Sequence, residues 1–274
     1  MSKINFYKMS GCGNDFIIID NRDRIVDETN LRDFIAGVCR RKMSAGADGL
    51  ILVENSDKAD FRWRFFNSDG SNAEMCGNGA RCVSRFACVS GIAGPELSFE
   101  TEAGIISARI ISDRVKIRMT DPENMRTDDR IELKNGPLRV SRINTGVPHA
   151  IVEVDNIENT DVQRLGREIR FHKAFAPAGT NVNFVCPRED GGISNRTYER
   201  GVEDETLACG TGCVGAALVM AHKAGMKSPV SVITKSGGSL IIHYEKKNGR
   251  FCNIYLEGDA RIIYKGELWE EAWH

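Results

Sequence analysis

The feature that most restricts how this chain can fold is a short block that occurs twice. Cys76-Gly-Asn-Gly79 and Cys209-Gly-Thr-Gly212 each follow a strand-like run and each open a stretch with helical spacing of apolar residues. Those residues are Val83, Phe86, Ala87 and Val89 after the first block, and Val214, Ala217, Leu218 and Ala221 after the second. A repeat about 130 residues long far exceeds the roughly 20–50-residue period of solenoids and propellers. It points to duplication of a whole domain. Two similar α/β domains are therefore expected, and 274 residues suit two compact cores. A cleft between them would face both helix starts.

The rest of the chain alternates in the same way. Strands are expected over 16–20, 50–53 and 63–66, with a helix over 29–39 capped by Thr29 or Asn30. Asn67-Ser-Asp-Gly-Ser71 reads as a turn, and the runs 97–100, 105–111 and 115–119 read as an antiparallel meander. Proline and polar residues at Asp121-Pro-Glu-Asn124 interrupt the strand pattern and mark the expected domain boundary. Beyond it, strands are expected over 138–143, 150–154, 182–185 and 195–199, with a short helix over 162–169. The tail returns to strands over 230–234, 238–244, 252–256 and 260–264.

Composition removes several classes of function. Charged residues are 27% and hydrophobic ones 41%, ordinary for a globular protein, and the net charge of −1 comes with no basic stripe able to neutralise a row of phosphates. Nucleic acid is not an expected partner. No run of 18 apolar residues occurs and the start carries no signal-like segment, so neither a membrane span nor export is expected. Nine scattered cysteines make a poor disulfide framework and suit a reducing cytoplasm. Most of them should be small buried hydrophobes.

Cys76 and Cys209 are the exceptions. A cysteine at a helix N-terminus meets unpaired N–H groups and the positive end of the helix dipole, which lower its thiol pKa below the usual ~8.5. The glycines beside it let a carboxylate approach the backbone closely. Inverting a stereocentre needs a base on one face of a carbon and an acid on the other, which two such thiols would provide. Two helix N-termini aimed at one α-carboxylate would stabilise the charge that develops when the weakly acidic α-proton leaves. A zinc site fits poorly: Cys76, Cys82 and Cys88 lie six apart on different faces of a helix, and Cys209 and Cys213 have no second pair. No metal is expected.

Six blocks carry a resemblance to the diaminopimelate epimerase family: KMSGCGNDFIIID at 8–20, GADGLILVE at 46–54, FFNSDGSNAEMCGNGARC at 65–82, NTGVPHAIVEV at 144–154, GTNVNFV at 179–185 and YERGVEDETLACGTG at 198–212. The resemblance implies an epimerase that interconverts LL- and meso-2,6-diaminopimelate without pyridoxal phosphate or metal, in the cytoplasm, as a homodimer. The implied fold is two similar domains related by pseudo-two-fold symmetry, each a mainly antiparallel sheet or barrel wrapped around a central helix, with the active site in the cleft. Residues 1–121, with 262–274 returning to them, would form the first domain and 122–261 the second.

Carried over by position, Cys76 and Cys209 match the acid–base pair, and Gly77-Asn78 and Gly210-Thr211 match the backbone donors to the reacting carboxylate. Asn14, Asn67, Asn181, Glu199 and Arg200 match positions that hold the distal end of the substrate, and His149 matches a histidine near the active centre. Without the resemblance, the three asparagines would read as turn residues, His149 as a hydrogen-bonded structural histidine, and Glu199-Arg200 as a solvated charged pair. Gly49 and Val147 stand where some members carry glutamine and asparagine, Cys213 stands where alanine is more usual, and Glu203-Asp204 lengthens the loop before Cys209.

Three other readings compete. A proline racemase or hydroxyproline epimerase of the same fold would use the same thiols, but those relatives carry histidine after the first Cys-Gly, where Asn78 stands here. A phenazine-type isomerase would lack the cysteine pair. A non-catalytic amino-acid-binding protein would bind without exchanging the α-proton.

Overall fold

Why the runs Phe16–Ile19 and Leu50–Val53 are apolar at every position becomes plain in the computed structural model, which describes residues 3–73 and 75–274. All eight residues are almost wholly buried, because their strands carry a helix on each face. The chain divides into two compact units, Met1–Ile117 with Gly258–His274, and Arg118–Glu257.

In the first unit, β1 (Ile4–Gly11) and β2 (Asn14–Asp20) form an antiparallel hairpin with Met9 opposite Phe16. Helix α1 (Leu31–Cys39) crosses to β3 (Gly49–Glu54), which runs parallel to β2, and β4 (Phe61–Asn67) returns antiparallel with Asn67 opposite Gly49. Helix α2 (Gly77–Val89) then leads to β5 (Glu96–Thr101), parallel to β4, and to the antiparallel continuation β6 (Gly104–Ile111) and β7 (Arg114–Arg118). The expected meander over 97–119 is these last three strands.

The second unit repeats the pattern. A pair of antiparallel strands, β8 (Glu123–Leu133) and β9 (Gly136–Asn144), precedes β10 (Pro148–Glu153), which pairs with β9 as β2 does with β1. Helix α3 (Val162–Arg170) crosses to β11 (Asn181–Pro187), parallel to β10, and β12 (Ile193–Glu199) returns antiparallel. A three-residue strand β13 (Asp204–Thr206) borders β12 before α4 (Gly210–Ala224). Then β14 (Val230–Thr234) runs parallel to β12, and β15 (Ser239–Lys247) and β16 (Arg250–Asp259) follow antiparallel. The chain ends its strand pattern with β17 (Arg261–Leu268), which pairs antiparallel with β1 across Ile4↔Leu268 to Ser10↔Arg261. So β17 does for β1 what β8 does for β9.

Each unit has one helix inside its curved sheet and one outside. Gly212 to Ala221 of α4 are buried without a break, and Asn78 to Ser84 of α2 likewise. A helix buried on every side is surrounded by its sheet, not laid on it. Around α4 stand β8, β9, β10, β11, β12, β14 and β15; around α2 stand β1, β2, β3, β6 and β17. The outer helices bury one face only. Phe34, Ile35 and Val38 of α1 pack on Ile17, Ile19, Leu50 and Leu52, while Val162 and Ile169 of α3 pack on Val182, Phe184 and Tyr198. Asn30 is the N-cap of α1 but forms no side-chain cap bond, so apolar packing and not capping sets where this helix begins.

Candidate active site

The inner helices begin where the repeated blocks lie. Cys76 is the N-cap of α2, with extended backbone at φ −145° and ψ 116°, and Gly79 N–H donates to its Sγ at 3.5 Å. The Cys76 carbonyl accepts from Ala80 N–H at 2.8 Å and starts the helix. Cys209 is the N-cap of α4 in the same conformation, φ −119° and ψ 110°, and its carbonyl accepts from Cys213 N–H at 2.9 Å. Its Sγ lies 3.5 Å from the Thr211 hydroxyl. The two cysteines therefore occupy equivalent positions in the topology of their units. Cys76 accepts an N–H of its first helical turn at sulfur, whereas the Cys209 side chain makes no such capping bond; both stand at a helix start, where negative charge is favoured.

Cys12, Cys39, Cys82 and Cys213 are buried, and burial pushes the thiol of Cys12 up to about 11, that of Cys39 up to about 12 and that of Cys82 further. Burial thus disfavours the thiolate at Cys12, Cys39 and Cys82. Cys82 and Cys213 face the cores around α2 and α4, as the spacing of a structural cysteine requires.

In the first unit Asn14 and Asn78 meet directly. Asn78 Nδ2 donates to Asn14 Oδ1 at 2.7 Å, and Asn14 Nδ2 donates to Asp48 Oδ2 at 2.9 Å. The fully buried Arg81 holds the other side of this pair: its Nη2 donates to Asn78 Oδ1 at 2.8 Å and its Nη1 to the Gly77 carbonyl at 3.2 Å. The first turn of α2 at Gly77-Asn78 is thus clamped through the Gly77 carbonyl and the Asn78 side chain. Asn67 is exposed, bonded through Nδ2 to Ser71 Oγ at 3.0 Å, and does not join Asn14 and Asn78 by a hydrogen bond.

In the second unit Asn181 is the joint. Its Nδ2 donates to the Pro148 carbonyl at 3.2 Å, and its Oδ1 accepts from Arg200 N–H at 2.8 Å. Arg200 Nη1 reaches the Ala178 carbonyl at 3.3 Å. Thr145 Oγ1 donates to the Thr211 carbonyl at 3.0 Å and steadies the Gly210-Thr211 turn. Burial pushes the Glu199 carboxyl above its ordinary range. No ion pair among the described residues joins Glu199 to Arg200, so the solvated-pair reading of these two is corrected. The turn reading of the asparagines is corrected as well: Asn14 and Asn181 open β2 and β11, and Asn67 ends β4. His149 lies in β10, buried, with Nδ1 3.0 Å from Asn183 Nδ2, and burial together with the charge of Arg200 lowers its pKa to about 3. It is a neutral imidazole. The added loop is anchored, since Glu203 Oε1 accepts from Arg170 Nη2 at 2.9 Å and from Gly201 N–H at 3.0 Å.

Sequence reading missed the residues beneath the site: Asp48, Arg81, Thr145, Asn183 and Thr197. The available signal was polar character at positions that should be core, above all Asn183 between apolar neighbours in a strand.

Comparison with known proteins gives the following. A family model described as diaminopimelate epimerase matches residues 6–125 and 141–263. A diaminopimelate epimerase from Aquifex aeolicus is 44% identical over 281 residues, covering 98% of this chain and 99% of its own. One from Chlorobaculum tepidum is 43% identical over 265 residues, covering 95% and 99%. Among solved structures, a phenazine biosynthesis protein of the PhzF family from Bacillus anthracis has a TM-score of 0.73 at 18% identity, covering 98% of this chain and 100% of its own. A hydroxyproline epimerase from Agrobacterium vitis with bound trans-4-OH-L-proline has a TM-score of 0.67 at 18% identity, covering 98% and 93%. These two likenesses concern the fold.

Proposed function

The chain belongs to the diaminopimelate epimerase family, and we propose that it interconverts LL- and meso-2,6-diaminopimelate with Cys76 and Cys209 as the two acid–base groups. It is an amino-acid epimerase. The observation that carries the assignment of the pair is the equivalent capping position of these two cysteines, one in each of two units with the same strand order. One sulfur, as thiolate, takes the α-proton; the other, as thiol, returns a proton to the opposite face, so that each turnover exchanges the protonation states of the pair. The reverse direction starts from the exchanged state.

Backbone N–H groups of Gly77-Asn78 and Gly210-Thr211 hold the α-carboxylate, where fixed dipoles stabilise the carbanionic charge without reorganising. Arg200 clamps the distal carboxylate through two hydrogen bonds, and Asn14, Asn67, Asn181 and Glu199 complete the binding of the far amino-acid end. Residues 1–121 with 262–274, and 122–261, are the two epimerase domains of this reading. It also takes the protein to be a cytoplasmic homodimer. No helix among the described residues is long and apolar enough to cross a membrane.

The test is α-hydrogen exchange in D₂O under reducing conditions, read by mass spectrometry, with diaminopimelate and L-proline in parallel. Exchange into diaminopimelate is expected, and Cys76→Ser and Cys209→Ser should each lose roughly 10²–10⁴-fold in rate while folding normally. Turnover of proline alone, or a near-wild-type rate in either serine variant, would overturn the reading.

A further inference from the structure

Three neighbouring strands of the second unit carry a buried row of polar side chains that the two-thiol scheme does not use. His149 of β10, Asn183 of β11 and Thr197 of β12 are each no more than 1% exposed, and Asn183 and Thr197 are direct cross-strand partners. Their hydrogen bonds have a readable direction. Asn183 Nδ2 faces both His149 Nδ1 at 3.0 Å and the Ala150 carbonyl at 3.4 Å. A carbonyl can only accept, so the group turned toward it is the NH₂. Asn183 Oδ1 then faces Thr197 Oγ1, whose hydroxyl donates to it at 2.9 Å. His149 Nδ1 is left as an acceptor. A neutral ring carries one proton, and that proton is on Nε2.

His149 Nε2 is buried and has no partner in the protein. Orphan buried donors are rare, and one at the end of a directed chain calls for an acceptor from outside the chain. The row also borders the candidate site: a Cβ on Gly212 would stand 2.1 Å from Asn183 Oδ1 and 3.3 Å from Cys209 Sγ.

We propose that Asn183 and Thr197 are positioning residues that hold His149 as its Nε2–H tautomer, so that this histidine serves turnover as an uncharged hydrogen-bond donor to an anion and not as a base. Its role in turnover rests on the epimerase reading; the tautomer does not. Burial, reinforced by Arg200, keeps the ring neutral far below physiological pH. An uncharged donor adds a dipole beside developing negative charge without supplying a proton that competes with the thiols.

The experiment is long-range ¹H–¹⁵N correlation of the histidine rings at pH 7 without substrate, His149 being assigned by its absence in His149→Gln, together with α-hydrogen exchange on diaminopimelate. The wild type should show a pyrrole-like Nε2 and a pyridine-like Nδ1. Asn183→Asp puts a carboxylate against Nδ1, should draw a proton there, and should slow exchange about 10²-fold. Thr197→Val should mix the tautomers and slow exchange, and Thr197→Ser should restore both. A wild-type His149 protonated on Nδ1 overturns the proposal, as does a tautomer change in Asn183→Asp with exchange unaffected. Failure of Thr197→Ser to restore what Thr197→Val loses overturns it too, and keeps the test decisive if Asn183→Asp does not fold. The predicted tautomer in a protein that never exchanges diaminopimelate would sink the epimerase reading and leave the relay standing.

Discussion

Gly79 and Gly212 stand three residues after Cys76 and Cys209, in the first turns of α2 and α4, and alanine should have opposite effects at the two places. At Gly79 an added Cβ meets Ile51 Cδ1 at 3.4 Å, Trp63 Cζ3 at 3.4 Å and Cys76 Cβ at 3.6 Å, which is ordinary van der Waals contact. Gly79→Ala should therefore keep the helical preference of alanine, a gain of about 0.5–1 kcal/mol. At Gly212 the Cβ would be 2.1 Å from Asn183 Oδ1 and 3.1 Å from its Cγ, where contacts of ~3.5 Å are needed. The carboxamide has to move by more than ~1 Å, and it is wholly buried and bonded on both sides. Overpacking costs about 1–3 kcal/mol and loss of the buried hydrogen bonds a further 1–3 or so, less the helix gain. The net loss is about 2–5 kcal/mol, or roughly 5–15 °C in the transition of the unit that carries it. Scanning calorimetry of both variants at pH 7 in reducing buffer reads the contrast. The reasoning is refuted if Gly212→Ala melts within a degree or two of wild type, or if Gly79→Ala falls as far as Gly212→Ala.

Two further expectations concern charge. The folded pKa of His149, about 3, lies below the ordinary ~6.5, so the unfolded chain binds a proton that the folded chain refuses. Its contribution to stability is full above about pH 6.5 and is lost as pH falls toward 3, amounting to several kcal/mol, and His149→Gln should flatten that slope in urea midpoints; an unchanged acid slope would count against a buried neutral ring. The buried Glu205 carboxylate accepts from Arg196 Nε at 2.6 Å and from Lys235 Nζ at 2.6 Å, and these partners hold its pKa low against the opposing effect of burial. Glu205→Gln should cost about 2–4 kcal/mol at pH 7 and progressively less as pH drops through the carboxyl range; a loss under ~0.5 kcal/mol would show the pair to be dispensable.

How far the sequence revealed this arrangement depended on what each segment touches. Strands β2 and β3 were legible because burial on both faces makes them apolar throughout, and α2 and α4 because glycine and cysteine mark their starts. Strand β8 escaped, since nearly every side chain along MRTDDRIE is charged or exposed and only Ile131 is buried; the proline at 122 was read as a boundary where a strand begins. Strand β1 was missed as well, in part because it contains Lys8, which is buried with its ammonium on Asp15 at 2.8 Å and on the Gly46 carbonyl. Candidate residues were legible as short motifs. Their supports were not: Asn183 falls in an expected strand but its polar side chain has no visible purpose until β10 and β12 supply its partners, and Arg81 is an ordinary charged residue until α2 proves to lie inside its sheet.

The strand β17 closes the first unit from the far end of the chain, and this sets an order in time. When a ribosome has released residues 3–117, every strand of that unit exists except the one that covers the open edge of β1. The second unit has no such debt, because β8 emerges before the β9 it protects. At about 5–20 residues per second, making residues 118–257 leaves β1 uncovered for roughly 7–30 s, with its backbone groups free to pair wrongly. The half that comes first in position is thus the last to be completed, and its nascent edge is where a chaperone would be of most use.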